Sequence, residues 1–155
     1  MNRAEIEEII DKNGNKKASL IAILQDMQEK YNYLPADALR ITAELLKISL
    51  IDVYCLATFY KSFSLTPRGK HLISVCLGTA CHVRGVPRIL EEVKRKLCIK
   101  EGETTEDKMF TLETVNCLGA CALGPIVVVD EDYHGQMTVP KVSTLLKKYQ
   151  KDAAN

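Results

Sequence analysis

Four cysteines lie in two short loops with similar sequences. The first loop reads Cys-Leu-Gly-Thr-Ala-Cys from Cys76 to Cys81, and the second reads Cys-Leu-Gly-Ala-Cys from Cys117 to Cys121. Each loop follows a run of residues that predicts a β-strand. Because two strands of one sheet can bring both loops to the same edge, we expect the four thiolates to converge on one point.

Four converging thiolates are typical of an iron–sulfur cluster or of a structural zinc ion. A [2Fe–2S] cluster takes four cysteine ligands, and the C-x₄-C spacing of the first loop also opens the plant-type ferredoxin pattern. The C-x₃-C spacing of the second loop departs from that pattern. Structural zinc usually takes its cysteines at C-x₂₋₄-C spacing, so the second loop suits zinc and the first lies at the limit. The spacing favours the cluster and leaves zinc as the alternative.

The residues between the cysteines are small. Small residues let backbone N–H groups approach an anionic cluster and its sulfurs, which stabilises the charge. The positions expected to contact the cluster through their backbone are Gly78, Thr79, Gly119 and Ala120. Arg84, close to the first loop, could neutralise the cluster or meet a partner, and an ordinary surface arginine is an equally good interpretation.

The other two cysteines are not predicted to be ligands. Cys55 falls on the apolar stripe of a predicted helix and Cys98 at a helix end, where we expect small buried hydrophobes. A thioredoxin-type redox centre needs C-x-x-C, and no cysteine has a partner at that spacing. The acidic N-terminus is not a secretory signal, which predicts a cytoplasmic protein with reduced thiols rather than disulfides.

The elements that must position these loops belong to the second part of the chain. The first part, residues 1–70, has no glycine between Gly14 and Gly69 and no catalytic set. Apolar residues at steps of three and four predict short helices there. The first predicted helix covers 4–10, and the second follows the apolar stripe from Leu20 to Tyr31. A third begins at Pro35, and a fourth begins after a Ser49 cap.

Beyond Gly69 the pattern changes to short apolar strands separated by helices. Strands are predicted at 72–75, 110–115, 126–129 and 136–139, the last two joined by a turn at 130–135, and helices run from Pro87 to Leu97 and from Pro140 to Tyr149. This order is compatible with a thioredoxin-like sheet. The sequence therefore predicts an α+β fold, in which a helical segment (1–70) precedes a thioredoxin-like domain (71–155) with a four-stranded mixed sheet.

These motifs together resemble a known family. The resemblance rests on both cysteine loops with the residues up to Gly85, on 24–35 and 53–60 in the helical part, and on 102–107 before the second loop. The chain resembles the thioredoxin-like [2Fe–2S] ferredoxins. That family includes the 24 kDa subunit of NADH dehydrogenase (complex I) and the small subunits of NAD-linked and electron-bifurcating hydrogenases and formate dehydrogenases.

The resemblance implies a non-catalytic electron-transfer subunit with one [2Fe–2S] cluster. It also implies a hetero-oligomeric complex in which a partner subunit holds FMN and NAD(H). The alternative from another functional class is a structural zinc module that docks proteins. A cytoplasmic complex, including one at the inner face of a membrane, is compatible with this interpretation.

Composition and motif content exclude several other classes. The 155 residues include 21 basic and 20 acidic ones, and the resulting net charge of +1 argues against nucleic acid or an anionic membrane as the main partner. No apolar run approaches the ~20 residues that insertion into a membrane requires. The chain has no G-x-G-x-x-G, P-loop or H-E-x-x-H motif, so we expect no NAD, ATP or flavin site of its own.

Overall fold

The protein folds into two compact units that divide between Pro67 and Arg68. Its computed structural model describes residues 2–151. The first unit is helical, and the second combines helices with a single sheet. No helix within residues 2–151 has the length and apolar character needed to cross a membrane.

The first unit contains the four helices that the apolar spacing predicts. They are α1 (Arg3–Lys12), α2 (Leu20–Tyr31), α3 (Ala36–Leu45) and α4 (Leu50–Phe59). Their apolar stripes meet in one core, whose fully buried side chains include Ile6, Ile23, Leu24, Met27, Leu39 and Val53. Asn32 ends α2 in the left-handed conformation at φ 63°, and the chain then turns into α3.

The N-terminus of α4 provides a direct test of the predicted cap. The Ser49 hydroxyl accepts a hydrogen bond from the backbone N–H of Ile51 at 3.3 Å, satisfying one of the unpaired donors of the first turn. Ser49→Ala is expected to lower the free energy of unfolding by about 1 kcal/mol, measured by urea denaturation. Ser19 occupies the same position before α2 without a side-chain cap, so Ser19→Ala is the matched control. An equal loss in both variants would refute the capping role.

The second unit contains a four-stranded mixed sheet, as predicted. Its elements are β1 (His71–Cys76), α5 (Thr79–Val83), α6 (Val86–Leu97), β2 (Phe110–Val115), β3 (Val127–Val129), β4 (Asp132–His134) and α7 (Val139–Lys151). The strand order is β2-β1-β3-β4. The β1–β2 pair is parallel, and the other two pairs are antiparallel.

The register of the parallel pair determines where the cysteine loops begin. His71 lies opposite Phe110, and the pairing continues until Cys76 lies opposite Val115. The two strands therefore end together at one edge of the sheet. Parallel strands need a long crossover, and α5 and α6 provide it here.

The apolar faces of α6 and α7 join the sheet in one core. The buried residues of this core include Ile73, Val75, Ile89, Val93, Phe110, Leu112, Val142 and Leu146. Val86, Ile89, Leu90 and Val93 recur at steps of three and four, which places them on one side of α6. Cys76 and Cys81 belong to the same core, so the cysteine edge of the sheet rests on packed side chains.

The position predicted for the fourth strand, 136–139, is wrong. The strand that pairs with β3 is Asp132–His134, because the chain reverses directly after Val129. Asp130 takes a φ of 56°, and its carboxylate accepts a hydrogen bond from the backbone N–H of Leu72 at 2.9 Å, which holds this tight turn. The strand escaped prediction because it is a short, largely exposed edge strand without an apolar alternation.

Candidate metal centre

Both cysteine loops leave the sheet at the same edge. Cys76 is the last residue of β1, and Cys117 follows the end of β2 by two residues. The backbone N–H of Leu77 donates to the Val115 carbonyl at 2.8 Å, which extends the parallel ladder into the first loop. The predicted convergence of the two loops at one edge is therefore present.

The first loop folds into a one-turn helix, α5, which was not predicted from the sequence. Gly78 precedes it, Thr79 is its first residue, and the His82 N–H donates to the Gly78 carbonyl at 2.8 Å. The turn directs Cys81 inward, where the residue is 2% exposed. Five residues are too few to carry an apolar repeat, so periodicity could not reveal this helix.

The second loop turns at Gly119. This residue has a φ of 76°, a conformation that favours glycine, and its N–H donates to the Cys117 sulfur at 3.3 Å. Ala120 then leads into a 3₁₀ turn at Cys121–Leu123. The backbone N–H donors expected from the small residues are thus present at Gly119, beside a cysteine sulfur.

Cys76 lies at the centre of the thiol interactions. Burial acts to raise the pKa of its thiol. Hydrogen bonds from the backbone N–H groups of Gly78 and Leu118, together with the thiols of Cys81 and Cys117, outweigh this effect and place the pKa below its ordinary value. Leu118 and Cys117 belong to the second loop, so residues of both loops influence the pKa of this thiol.

The pKa of the Cys81 thiol is shifted in the opposite direction, above its ordinary value. Burial raises the pKa of its thiol, and the neighbouring thiols of Cys76 and Cys121 raise it further, while the backbone N–H of Ile126 acts against them. Like charges close together disfavour ionisation, so this arrangement of thiols suits a cation that can neutralise several thiolates at once.

The cysteines differ sharply in exposure. Cys76 and Cys81 are buried, whereas Cys117 and Cys121 are exposed. Cys55 and Cys98 are also exposed, so the expectation that both are buried hydrophobes is wrong. Cys98 follows α6 at its C-terminal end, and the 12 residues of that helix span about 18 Å from the end nearest the first loop. Cys55 lies on α4 in the first unit.

Three glycines allow the backbone to pack closely around the cysteine loops. A Cβ atom at Gly78 would lie 3.0 Å from the Asn116 carbonyl oxygen, and one at Gly124 would lie 3.1 Å from the Cys81 sulfur. One at Gly135 would lie 2.9 Å from the Leu123 Cβ. The packing roles of Gly124 and Gly135 were not predicted from the sequence, because these roles depend on the absence of a side chain and not on a chemical group.

The donor set fits a [2Fe–2S] cluster. Four thiols occur on two loops at one sheet edge, and backbone N–H groups already donate to Cys76, Cys81 and Cys117. The loops meet, but the expected convergence of all four thiolates on one point is not present, since no three histidine, cysteine or carboxylate side chains within residues 2–151 are grouped around a possible metal position. The Gly119 N–H donates to the Cys117 sulfur, and N–H donors to the sulfurs are a typical feature of iron–sulfur sites.

The strand order, the parallel β1–β2 pair, the flanking helices and the cysteine-bearing edge define a thioredoxin-like domain with a cysteine-rich site. The chain belongs to the thioredoxin-like [2Fe–2S] ferredoxin family, whose model matches residues 6–150.

Relatives at clear sequence identity are components of oxidoreductases. The chain is 36% identical over 145 residues to the NADP-reducing hydrogenase subunit HndA of Solidesulfovibrio fructosivorans, covering 94% of this chain and 85% of that protein. It is 40% identical over 149 residues to an NADH-quinone oxidoreductase subunit of Rickettsia conorii, covering 94% of this chain and 89% of that protein.

A solved structure shows the same fold. A chain of an NAD⁺-reducing [NiFe]-hydrogenase in the air-oxidized state superimposes with a TM-score of 0.72 at 19% identity. The match covers 83% of this chain and 23% of the hydrogenase chain, so this protein corresponds to about a quarter of that longer chain.

Proposed function

We propose that this chain is the electron-transfer subunit of an NAD(H)-dependent oxidoreductase complex, with one [2Fe–2S] cluster. The proposed ligands are Cys76, Cys81, Cys117 and Cys121. The observation that supports this assignment best is the meeting of the two cysteine loops at one sheet edge, where a Cβ atom at Gly78 of the first loop would lie 3.5 Å from the Cys117 sulfur of the second. Family membership supports the identity of the cluster.

The residues of this chain hold the sulfurs and screen their charge. The Gly119 N–H donates to the Cys117 sulfur, and the N–H groups of Gly78, Leu118 and Ile126 lower the pKa of the Cys76 and Cys81 thiols; we propose that all four stabilise the sulfurs as ligands. We propose that Thr79 and Ala120 also contact the cluster through their backbone. When bound, a [2Fe–2S] cluster exchanges one electron at a time, which lets it accept electrons singly from a flavin.

The proposed partner is a subunit that binds FMN and NAD(H). The relatives are named as subunits of hydrogenases and NADH-quinone oxidoreductases. Cys117 and Cys121 are exposed, and the nearby apolar side chains of Val83 and Leu123 are 81% and 48% exposed. We propose that this exposed side of the site faces the partner, and that the complex works in the cytoplasm without inserting into a membrane.

The two parts of the chain have different proposed roles. Residues 71–155 form the cluster domain, since all four proposed ligands lie there. Residues 1–70 contain none of the proposed ligands, and we propose that this helical segment contributes to docking. A complex that retains its partner after deletion of this segment would contradict the docking role.

Metal and sulfide analysis tests the proposed cofactor. The chain purified without air is expected to be coloured, to bleach on reduction, and to contain two iron atoms and two acid-labile sulfides per chain. A colourless chain that contains zinc and no iron would refute the cluster and support the zinc alternative. Purification of the tagged chain from its natural cell is expected to recover a flavoprotein that binds NAD(H).

Gly124 provides a steric test of the proposed site. Its φ of −61° suits any residue, so the effect of Gly124→Ala comes from the new Cβ alone, 3.1 Å from the Cys81 sulfur. The variant is expected to retain less iron than the wild type, because the Cys81 sulfur must shift by a few tenths of an ångström to make room for the Cβ.

Gly102→Ala is the control for Gly124→Ala. A Cβ at Gly102 would meet nothing within 4 Å, although its φ of 84° would strain an alanine. This variant is expected to lose stability while keeping the full iron content. A full iron content in Gly124→Ala would show that the packing against Cys81 does not matter for the site.

A further inference from the structure

Arg84 connects the two cysteine loops. It follows α5, the helix of the first loop, and its terminal Nη1 donates to the carbonyl oxygens of Cys121 at 2.9 Å and of Gly124 at 3.1 Å. These two carbonyls lie at the start and just past the end of the 3₁₀ turn in the second loop. A side chain three residues after the first loop therefore holds the backbone at the end of the second.

The contact is closely packed. The backbone N–H of Gly124 donates to the Cys121 carbonyl at 3.1 Å, so this carbonyl accepts from both Gly124 and Arg84. A Cβ at Gly124 would lie 3.4 Å from Arg84 Nη1, which places the guanidinium in van der Waals contact with the Gly124 backbone position. Hydrogen bonds from a charged donor are stronger than neutral ones, so Arg84 stabilises the turn that carries Cys121.

The charge pattern around the loops singles out the same residue. Segments 76–88 and 116–125 contain no aspartate or glutamate, and their two formally charged side chains are Arg84 and Arg88. Arg84 thus has no carboxylate within these two segments to compete with the loop carbonyls. Arg88, four residues later on α6, is exposed and offers a matched arginine without a hydrogen bond to the second loop.

We propose that Arg84 is a positioning residue that clasps the second cysteine loop to the first and keeps Cys121 in place beside Cys81. The clasp acts on the protein backbone, so it operates with or without a bound cofactor. The inference deepens the proposed function and rests on it only for the identity of the group that the four cysteines hold.

Hydrogen–deuterium exchange of the full chain, both metal-free and cluster-loaded, tests the clasp. In Arg84→Gln, the amides of residues 121–124 are expected to exchange about tenfold faster, the effect of losing hydrogen bonds to a charged donor. The amides of β1 are expected to stay at wild-type rates. Arg84→Lys is expected to restore part of the protection, because its ammonium can still donate to a carbonyl. Arg88→Gln is expected to match the wild type.

Iron release to a chelator provides a second measurement on the cluster-loaded chain. Arg84→Gln is expected to release iron several-fold faster than the wild type or Arg88→Gln. An unchanged exchange rate at 121–124 in Arg84→Gln would refute the role of Arg84. An equal increase in the exchange rate of β1 would refute it too, because it would indicate a general loss of stability. Zinc in place of iron would refute the proposed cluster while leaving the exchange test of Arg84 intact.

Discussion

Single alanine replacements of the four proposed ligands are expected to leave the purified chain without its cluster. The variants are Cys76→Ala, Cys81→Ala, Cys117→Ala and Cys121→Ala. Each variant removes one of the four thiolates that the cluster requires. Segment 116–125 contains no cysteine besides Cys117 and Cys121 that could replace a lost ligand in the second loop. Iron and sulfide content, together with the visible absorbance of the chain purified without air, measures the loss.

Cys55→Ala and Cys98→Ala are the matched controls. Both thiols are exposed, so alanine should cost little stability, and both variants are expected to keep full iron and colour. Loss of the cluster in either control, with retention in Cys117→Ala, would refute the ligand assignment.

The buried and exposed ligands are expected to differ in one further respect. Cys76 and Cys81 are packed in the core, so their alanine variants lose contacts as well as a ligand. Cys117 and Cys121 are exposed, so their variants should keep the unfolding free energy of the metal-free wild type more closely. Urea denaturation of the metal-free chains separates the loss of a ligand from the loss of the fold.

The second prediction is that NADH alone does not reduce the cluster-loaded chain. A [2Fe–2S] centre accepts one electron, whereas NADH gives a hydride, so a flavin must stand between them. The sequence has no dinucleotide fingerprint to bind NADH directly. Mixed with NADH without air, the chain is expected to keep its colour, and to bleach once the flavoprotein partner is added.

Dithionite serves as the positive control in this experiment, because it gives single electrons without a flavin. The partner mixed with the Cys117→Ala chain controls for any change in the absorbance of the flavin itself. Rapid bleaching by NADH without a flavoprotein would refute the proposed electron transfer through a flavin. It would also require a nucleotide site within this chain.

Long elements with a clear period could be predicted from the sequence. The apolar steps from Leu20 to Tyr31 predict α2, although the helix ends at Tyr31 and not at the expected Leu34-Pro35 stop, and Ser49 does cap α4. The β-branched runs predict β1 and β2, and the loops that follow them share an edge because those strands are parallel. The mixed sheet of the thioredoxin-like domain followed from this order of elements.

The features that escaped prediction depend on tertiary contacts. The edge strand Asp132–His134 pairs through its backbone and needs no apolar pattern. The importance of Gly124 comes from a sulfur 43 residues earlier in the chain, at Cys81. The interpretation of Arg84 stayed open because its acceptors are main-chain carbonyls, which every residue has and which no sequence pattern reveals.

The parallel pairing of β1 with β2 also constrains how the protein matures. Cys81 and Cys117 are separated by 35 residues, and the crossover must close before the two loops can meet. Such long-range pairings form late in folding, because the entropy of closing the chain is lost before the contacts stabilise it. A nascent chain that has emerged only through α6 has two of the four proposed ligands. The proposed cluster is therefore expected to be inserted only after β2 has paired with β1.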